Sequence, residues 1–560
     1  MVRATFSGFN TALSALQANQ KRLDITGQNL SNMNTAGYTR QQLEASSLNY
    51  TNPVSHYSNG NETAVGFGVS MDRVSQIRDP YLDIQYRSQS ADCSYTNRLQ
   101  TALNSLSKVL DETTISGIRQ AFDDVQSTLT SMQDPAKVSD PIYESELRTK
   151  MQSVCNLFNQ ASRQITQAEQ NEFQRLTGEG SSEQGDVQKI NDILRQIGDL
   201  NVQIKRNQVA GHPSLELQDE RNLLLDELSG YIPIETRYYK DDAHSGNNAY
   251  DYDANGAVIG KKDWPDDLEV SMNYIDAQGK SQKLILVNGS DLGADGLKKN
   301  YGQLSVLNGD HQATASVSDP ANISIKFEKA PSYTGNGPAA TNDVVYAKLN
   351  GIRFEGGSLQ ASLDMLQKTG TGKVINGSTA VDDVRGYQYY SGKLDQLAST
   401  FAKSMNDINN KGKNPKDQNL LSNSTNDPTT GITAGNIGIS KGWTSGTVHI
   451  STNGTNRTDT ILNMIAAMKD TKELNGKTFA DYMNNLSTQL ASDSSSNQTA
   501  LKTGTTVLNS IQDSRESLSG VSLDEEATNM MTYVSAYNAA SRLMTALDEV
   551  LNTLISNTGA

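Results

Sequence analysis

Cysteine is nearly absent from this chain of 560 residues, which has only Cys93 and Cys155, far apart in sequence. Two thiols build neither a disulfide framework nor a metal-ligand spacing, so buried or idle thiols are expected. Long apolar runs are missing as well. The longest is LILV at 284–287, far short of what a bilayer demands. The opening stretch MVRATFSGFNTALSALQANQ has spaced apolar residues and lacks the continuous core and cleavage site of a secretory signal. Positive charge is in deficit, with 48 Lys and Arg against 63 Asp and Glu and a net charge of −15. A polyanion without a basic run is repelled by nucleic acid and by anionic membranes, so neither is an expected partner. Apolar residues make up only 36%. That is little for one thick core but sufficient for helical layers, which need only a narrow seam.

Catalytic and metal-binding patterns are scarce too. His56, His212, His244, His311 and His449 are scattered, with no second ligand type at helical spacing, and read as solvated loop histidines. GTGKV at 370–374 lacks the earlier glycine of a phosphate loop, since Gln367 stands there, and Val374 replaces the magnesium-holding Ser/Thr. Gly66-Phe67-Gly68 is too short for a dinucleotide fingerprint. Asp241-Asp242, Asp266-Asp267 and Asp382-Asp383 lie in turn-rich sequence, where paired carboxylates are solvated turn residues. DYDANG at 251–256 half suggests a calcium loop but has Asp263 where the bidentate glutamate belongs. The expectation is no catalytic residue, no metal and no cofactor.

What is present is helical patterning at both ends. Phe6, Phe9, Leu13, Leu16, Leu23 and Leu30 follow a three/four alternation within 4–33, which places them on one helical seam. The stretch NLSNMNTAGYTRQ (29–41) then stops the helix, with Gly37 suited to a left-handed turn. At the other end, Met530, Val534, Tyr537, Met544, Leu547, Leu551 and Leu554 repeat the seam over 523–555. Ser522 followed by Asp524, Glu525 and Glu526 reads as a cap with acids in the positive first turn. Such single-seam helices are marginal alone. They are expected to pair with each other or with other subunits, and the seams read as subunit-assembly interfaces.

A second helical tier is expected over 79–178, 185–229 with a break at Gly211-His212-Pro213, 387–410 and 459–512. Residues 232–384 differ, with short β-type runs separated by turn dipeptides at hairpin spacing. A smaller turn-rich stretch, 411–455, carries strand-like NIGIS and TVHIS. The fold class is therefore α+β: an elongated, nested, multi-domain subunit. The division expected is 1–55 plus 515–560 as a terminal, coiled-coil-like helical domain, 56–231 plus 385–514 as a helical bundle with a small β piece near 411–455, and 232–384 as an inserted mainly β domain.

The segment LDITGQNLSNMNTAGYTRQ, with Asn29, Asn32, Asn34, Thr35, Gly37 and Tyr38 at its core, resembles the N-terminal signature of bacterial flagellar axial proteins. LQDERNLLLDELSGYIPI (217–234), GGSLQASLDML (356–366), YYSGKLDQLASTFAKSMNDINNKG (389–412) and SGVSLDEEATNMMTYVSAYNAASRLMTALDEVLNTLI (519–555) narrow the resemblance to the hook-associated protein 1 family. These are the first hook–filament junction subunits. The resemblance implies a non-enzymatic structural subunit forming a ring homo-oligomer between hook and filament. It implies neighbours in the hook protein and the second hook–filament junction protein. It also implies a dedicated export chaperone binding the C-terminal helix, and type III secretion to the extracellular flagellum without a cleaved signal peptide. Ser31 and Met33 stand where the signature more often has alanine or another apolar residue. The alternative from another class is a secreted surface adhesin or glycan-active enzyme working through the inserted domain. It is poorly supplied with aromatic platforms, since Trp264 lies in the insert and Trp443 outside it.

Overall fold

The computed structural model describes residues 2–48, 68–110, 117–138, 140–180, 182–240, 250–252, 258–261, 266–276, 279–289, 299–308, 320–331, 344–347, 353–370, 374–375, 378–379, 384–411, 419–423, 431–452, 456–470, 474 and 476–558. In chain order the elements are α1 (Val2–Asn32), β1 (Gln41–Ser47), β2 (Val69–Gln76), α2 (Pro80–Leu110), α3 (Ile118–Ser131), α4 (Pro135–Val138), α5 (Pro141–Thr177), α6 (Asp186–Val209) and α7 (Leu215–Tyr231). There follow β3 (Glu235–Lys240), β4 (Tyr250–Tyr252), β5 (Val258–Lys261), β6 (Asp266–Ile275), β7 (Ser281–Asn288), β8 (Gln303–Asn308), β9 (Ile323–Glu328), β10 (Val344–Ala347) and α8 (Ser358–Gln367). The chain closes with β11 (Val374–Ile375), β12 (Ser378–Thr379), α9 (Tyr387–Asn409), β13 (Leu421–Asn423), β14 (Ile437–Ile439), α10 (Lys441–Ser445), α11 (Asp459–Lys469), α12 (Phe479–Ser519) and α13 (Leu523–Thr558). The protein is predominantly helical with a few small sheets, a mixed α+β fold.

Local chemistry accounts for the boundaries of the tier helices. The Asp140 side chain accepts the Ile142 N–H ahead of Pro141, and Gly178, at φ 73°, ends α5 in the left-handed conformation that glycine adopts without strain. Thr478 caps α12 by accepting the Asp481 N–H. The tier core is apolar and deep. Phe122 sits between Phe158, Phe401 and Phe479 with ring centroids 5.9, 5.2 and 5.5 Å away, joining α3, α5, α9 and α12. Edge-to-face and tilted rings at these separations add to the stabilisation from area alone. A charged network crosses the tier: Arg98 of α2 donates to Glu172 at 2.8 Å, Asp186 at 2.9 Å and the Ser362 hydroxyl at 2.9 Å, tying α2, α5, α6 and α8 together. All four residues are buried, so every charge here has a partner, as burial requires.

The insert forms two three-stranded antiparallel sheets, ordered β3-β6-β7 and β10-β9-β8. They are bridged between Val287 and Tyr301. Asparagines clamp them to α6. Asn191 donates to the Leu304 carbonyl and accepts its N–H, and Asn201 donates to the carbonyls of Leu268 and Gly289.

Several expectations are corrected. α8 lies inside 232–384 yet packs against α2, α5 and α9, with Leu359, Leu363, Met365 and Leu366 buried. The helical tier therefore re-enters the chain well before residue 384. The expected boundary at 55/56 falls between β1 and β2, which pair antiparallel from Gln41↔Gln76 to Ser47↔Val69. α12 runs unbroken through residue 514, so the boundary at 514/515 also falls within one element. NIGIS does contribute a strand, paired with β13. TVHIS does not: Asn409 holds that segment instead, accepting from the Ser451 N–H at 2.8 Å and donating to the His449 carbonyl at 3.3 Å. His56, His244, His311, Trp264, Asp241-Asp242, Asp263, Asp382-Asp383, Gly66-Phe67, residues 253–256 and residues 371–373 lie outside the described residues.

Candidate assembly surface and signature joint

α1 and α13 run antiparallel. A Cβ on Gly8 would meet the Leu547 side chain at 3.4 Å, and the Arg22 guanidinium lies 5.6 Å from the Tyr533 ring centroid. The β1–β2 hairpin covers another side of α1, where the Val69 N–H donates to the Ser14 hydroxyl. The groups this packing buries on α1 are Ala12, Ala18, Asn19, Ile25, Thr26 and Asn29. Apart from Ile25 they are small or polar, and they are not the predicted seam. Among the seam residues, Phe9, Leu16, Leu23 and Leu30 are half-buried and Leu13 is 46% exposed. On α13, Met530, Met544, Leu547 and Leu551 are half-buried, while Val534, Tyr537 and Leu554 are exposed. The Phe6 side chain is outside the described residues. The pair thus has an outer face on which large apolar side chains are left uncovered, the pattern of a surface that awaits a partner.

The signature residues do something different: they build the joint at the base of this pair. Asn29 is almost fully buried, and its side chain behaves as a strand partner. Its Nδ2 donates to the Gln41 carbonyl at 3.0 Å, and its Oδ1 accepts the Gln41 N–H and the Tyr38 hydroxyl, each at 2.9 Å. Asn32 accepts from Thr35 through both its carbonyl and its side chain. Gly37 takes φ 79°, a conformation that costs other residues energy, and lies against Leu223 of α7. Asn34 is exposed. Burial, followed by the charges of Asp219, Glu216 and Glu526, raises the Tyr38 phenol well above its usual range, so it remains a donor.

The sequence reading missed the residues next to these. The Thr39 N–H and hydroxyl both donate to Asp219 of α7, at 3.1 and 2.6 Å. Burial pushes the Asp219 carboxyl up to about 6, against the Thr39 hydrogen bonds and the Arg78 charge that pull it down. Arg78 donates to Asp83 at 2.5 Å. Burial alone would raise Asp83, but Arg78, Arg87 and Arg515 together hold it below the usual carboxylate range. Arg515, at the end of α12, reaches Asp83 and Asp226 at 3.0 and 2.7 Å and lies over the Tyr86 ring. A cleft of about 190 Å³ opens beside this network, lined by Tyr86, Leu223, Asp226, Arg515 and Leu518. No local signal marks these partners, because Thr39 and Asp219 are 180 residues apart. Only the helix-end acids Glu525 and Glu526 stood out, and they serve as ion-pair arms to Arg40.

Among the described residues no group of three or more His, Cys, Asp and Glu is placed to hold a metal ion, and no helix is long and apolar enough to cross a membrane. Residues 103–263 match the flagellar hook-associated protein FlgK helical domain. Residues 9–39 match the flagella basal body rod protein family, and 514–557 the flagellar basal body rod FlgEFG protein C-terminal family. The two rod-type matches coincide with the elements that pair in α1 and α13. The flagellar hook-associated protein 1 of Bacillus subtilis is 28% identical over 99% of both chains. That of Salmonella typhimurium is 28% identical over 40% of this chain and 38% of its own. The flagellar hook junction protein FlgK from Burkholderia pseudomallei has 18% identity and a TM-score of 0.37, over 62% of this chain and 46% of that one, too distant a likeness to bear on the fold. The helical-domain match, the two rod-type ends and the full-length likeness together make this chain similar to the hook-associated protein 1 family of flagellar axial proteins.

Proposed function

We propose that the chain is a structural subunit of the bacterial flagellum that forms the junction ring between hook and filament and is needed for filament assembly and motility. The observation that carries this reading is the α1–α13 pair, whose outer apolar face its own chain leaves uncovered, with Leu13 at 46% and Leu554 at 46% exposure. In a ring, neighbouring copies would cover it. Seam residues Phe6, Phe9, Leu13, Leu16, Leu23 and Leu30 on α1, with Met530, Val534, Tyr537, Met544, Leu547, Leu551 and Leu554 on α13, then form the subunit contact. Asn29, Asn32, Thr35, Gly37 and Tyr38 instead set the joint that aims this pair relative to the tier.

The domain division that agrees with the packing is a terminal module of α1, β1, β2 and α13, a tier of α2–α7, α8, α9 and α10–α12, and an insert of β3–β10. The role is mechanical and not catalytic. The partners are further copies of this chain, the hook protein and the second junction protein. Before export, a chaperone would cover the exposed Met531, Val534 and Tyr537 side of α13, where uncovered apolar groups invite premature association. The location is the extracellular flagellum, reached by the type III route. The decisive experiment is a cryo-EM map of the hook–filament junction from cells making this chain. Density for α1 and α13 lining the tube, with Leu13 against a neighbour, is the expected result. A junction that forms without this chain sinks the proposal.

A further inference from the structure

The terminal module and the tier are joined by two passages of the chain, β2 into α2 and α12 into α13, and both run beside Arg40, the residue just before β1. The Arg40 N–H donates to the Ser519 carbonyl at the end of α12, and the Arg40 carbonyl accepts the Ile77 N–H between β2 and α2, both at 2.9 Å. Its guanidinium then reaches over to the first turn of α13, donating to Glu526 at 2.9 Å and to Glu525 at 2.6 Å. Glu526 is 2% exposed. A carboxylate that deeply placed is strongly unfavourable without a charged partner. One residue therefore touches the hairpin, both passages and the helix that must find α1.

This matters because the α1–α13 contact is poor in information about register. The apolar groups it buries are few and mostly small, Ala12, Ala18, Ile25 and Ala540. Small side chains on regularly patterned helices tolerate a slip of one turn, and apolar burial is non-directional. An ion pair on a buried carboxylate, Glu526, made by one arm of a guanidinium whose other arm holds the exposed Glu525 beside it, is directional and does not tolerate a slip.

We infer that Arg40 is a registry latch: by capturing Glu526 and Glu525 it sets the register in which α13 lies along α1, with Leu547 over Gly8, and it does so without contributing to the stability of the tier. The latch makes α13 a separable arm. Its first turn is pinned at the joint, and the rest of the helix follows that pin. The inference concerns the single chain and holds or fails independently of the flagellar reading.

Two cross-links in the full-length chain test it. The first reports register: Gly8→Cys with Leu547→Cys, at the point where a Gly8 Cβ would touch the Leu547 side chain. The second reports the tier: Gly504→Cys with native Cys93, where a Cβ at 504 would lie 3.1 Å from the Cys93 Sγ. Each pair is oxidised briefly and the disulfide is counted by mass spectrometry, in the presence of Arg40, Arg40→Met, Arg40→Lys and Glu526→Gln. Arg40→Met and Glu526→Gln are expected to lower the 8–547 yield about tenfold, as losing the partner of a buried charge implies. The 93–504 yield stays constant. Arg40→Lys, which keeps the charge but not the two-pronged geometry, gives an intermediate yield. An unchanged 8–547 yield overturns the latch. A parallel fall of both yields overturns it too, since Arg40 would then be a general stabiliser of the fold.

Discussion

The α1–α13 pair and the helical tier carry the same kind of amphipathic pattern and bury it very differently. In the tier, Leu106, Leu147, Leu394 and Phe401 are at 0% exposure. In the pair, the leucines and tyrosine of the pattern stay half-buried or exposed, and the buried apolar residues are Ala12, Ala18, Ile25 and Ala540. Periodicity states that a helix has an apolar face. It does not state whether the cover comes from the same chain. In the tier several helices surround each face. At the termini, among the described residues, α1 meets one partner helix and one hairpin and keeps an open side.

The largest effect that sharpens this contrast is loss of assembly without loss of fold. Leu13→Asp with Leu16→Asp should lower the thermal unfolding midpoint of the purified chain only modestly, because Leu13 is already 46% exposed and Leu16 is only half-buried. Incorporation at the hook tip should be abolished, since a charge carried into an apolar contact without a partner is costly. Full-length filaments and swimming in cells carrying the double variant would break the comparison. Phe122→Ala probes the other side. Removing the ring at the centre of the tier's aromatic cluster should destabilise the chain by about 3–5 kcal/mol, read as a lower urea midpoint. A loss below about 1 kcal/mol would mean that the tier is no better packed than the ends.

Smaller effects lie at the joint between the two regions. Tyr38→Phe removes the hydroxyl donor to Asn29, whose Oδ1 keeps the Gln41 N–H. The expected cost is about 1 kcal/mol, seen as faster hydrogen exchange in α1 and β1 and not in α6 or α9. The weakest prediction is a pH dependence. The Asp219 carboxyl titrates near 6 in the folded chain, above the usual unfolded value of about 3.9. A folded-state value raised in this way means that the fold holds the proton more tightly, so stability rises as pH falls through 6 and is lost as pH rises through it. Between pH 7 and 5 the gain is about 1 kcal/mol. Asp83 acts oppositely, its lowered value contributing stability that disappears only on further acidification. Asp219→Asn should flatten the pH 5–7 profile of exchange at the joint, and an unchanged slope would remove Asp219 from the account.

Much of this architecture is legible in the sequence. Helix spacing, the break at Gly211, hairpin-type turns in the insert and the acid-rich start of α13 are local properties, and local properties are written in neighbouring residues. Glycine at 37 is one case, since a left-handed turn after a helix calls for it wherever the rest of the chain lies. What only the tertiary structure decided is who meets whom. Asn29 is a polar residue at a helix end in the sequence, and a buried surrogate strand for Gln41 in the fold. α8 is ten residues inside a β-rich stretch, and becomes part of the helical core because α2, α5 and α9 close around it. Arg40 and Glu526 are 486 positions apart, and no periodicity reaches that far. Contacts of this kind depend on where whole elements come to rest. That is set by summed burial across the fold, because each buried charge and amide must find its partner among the elements that burial has brought together.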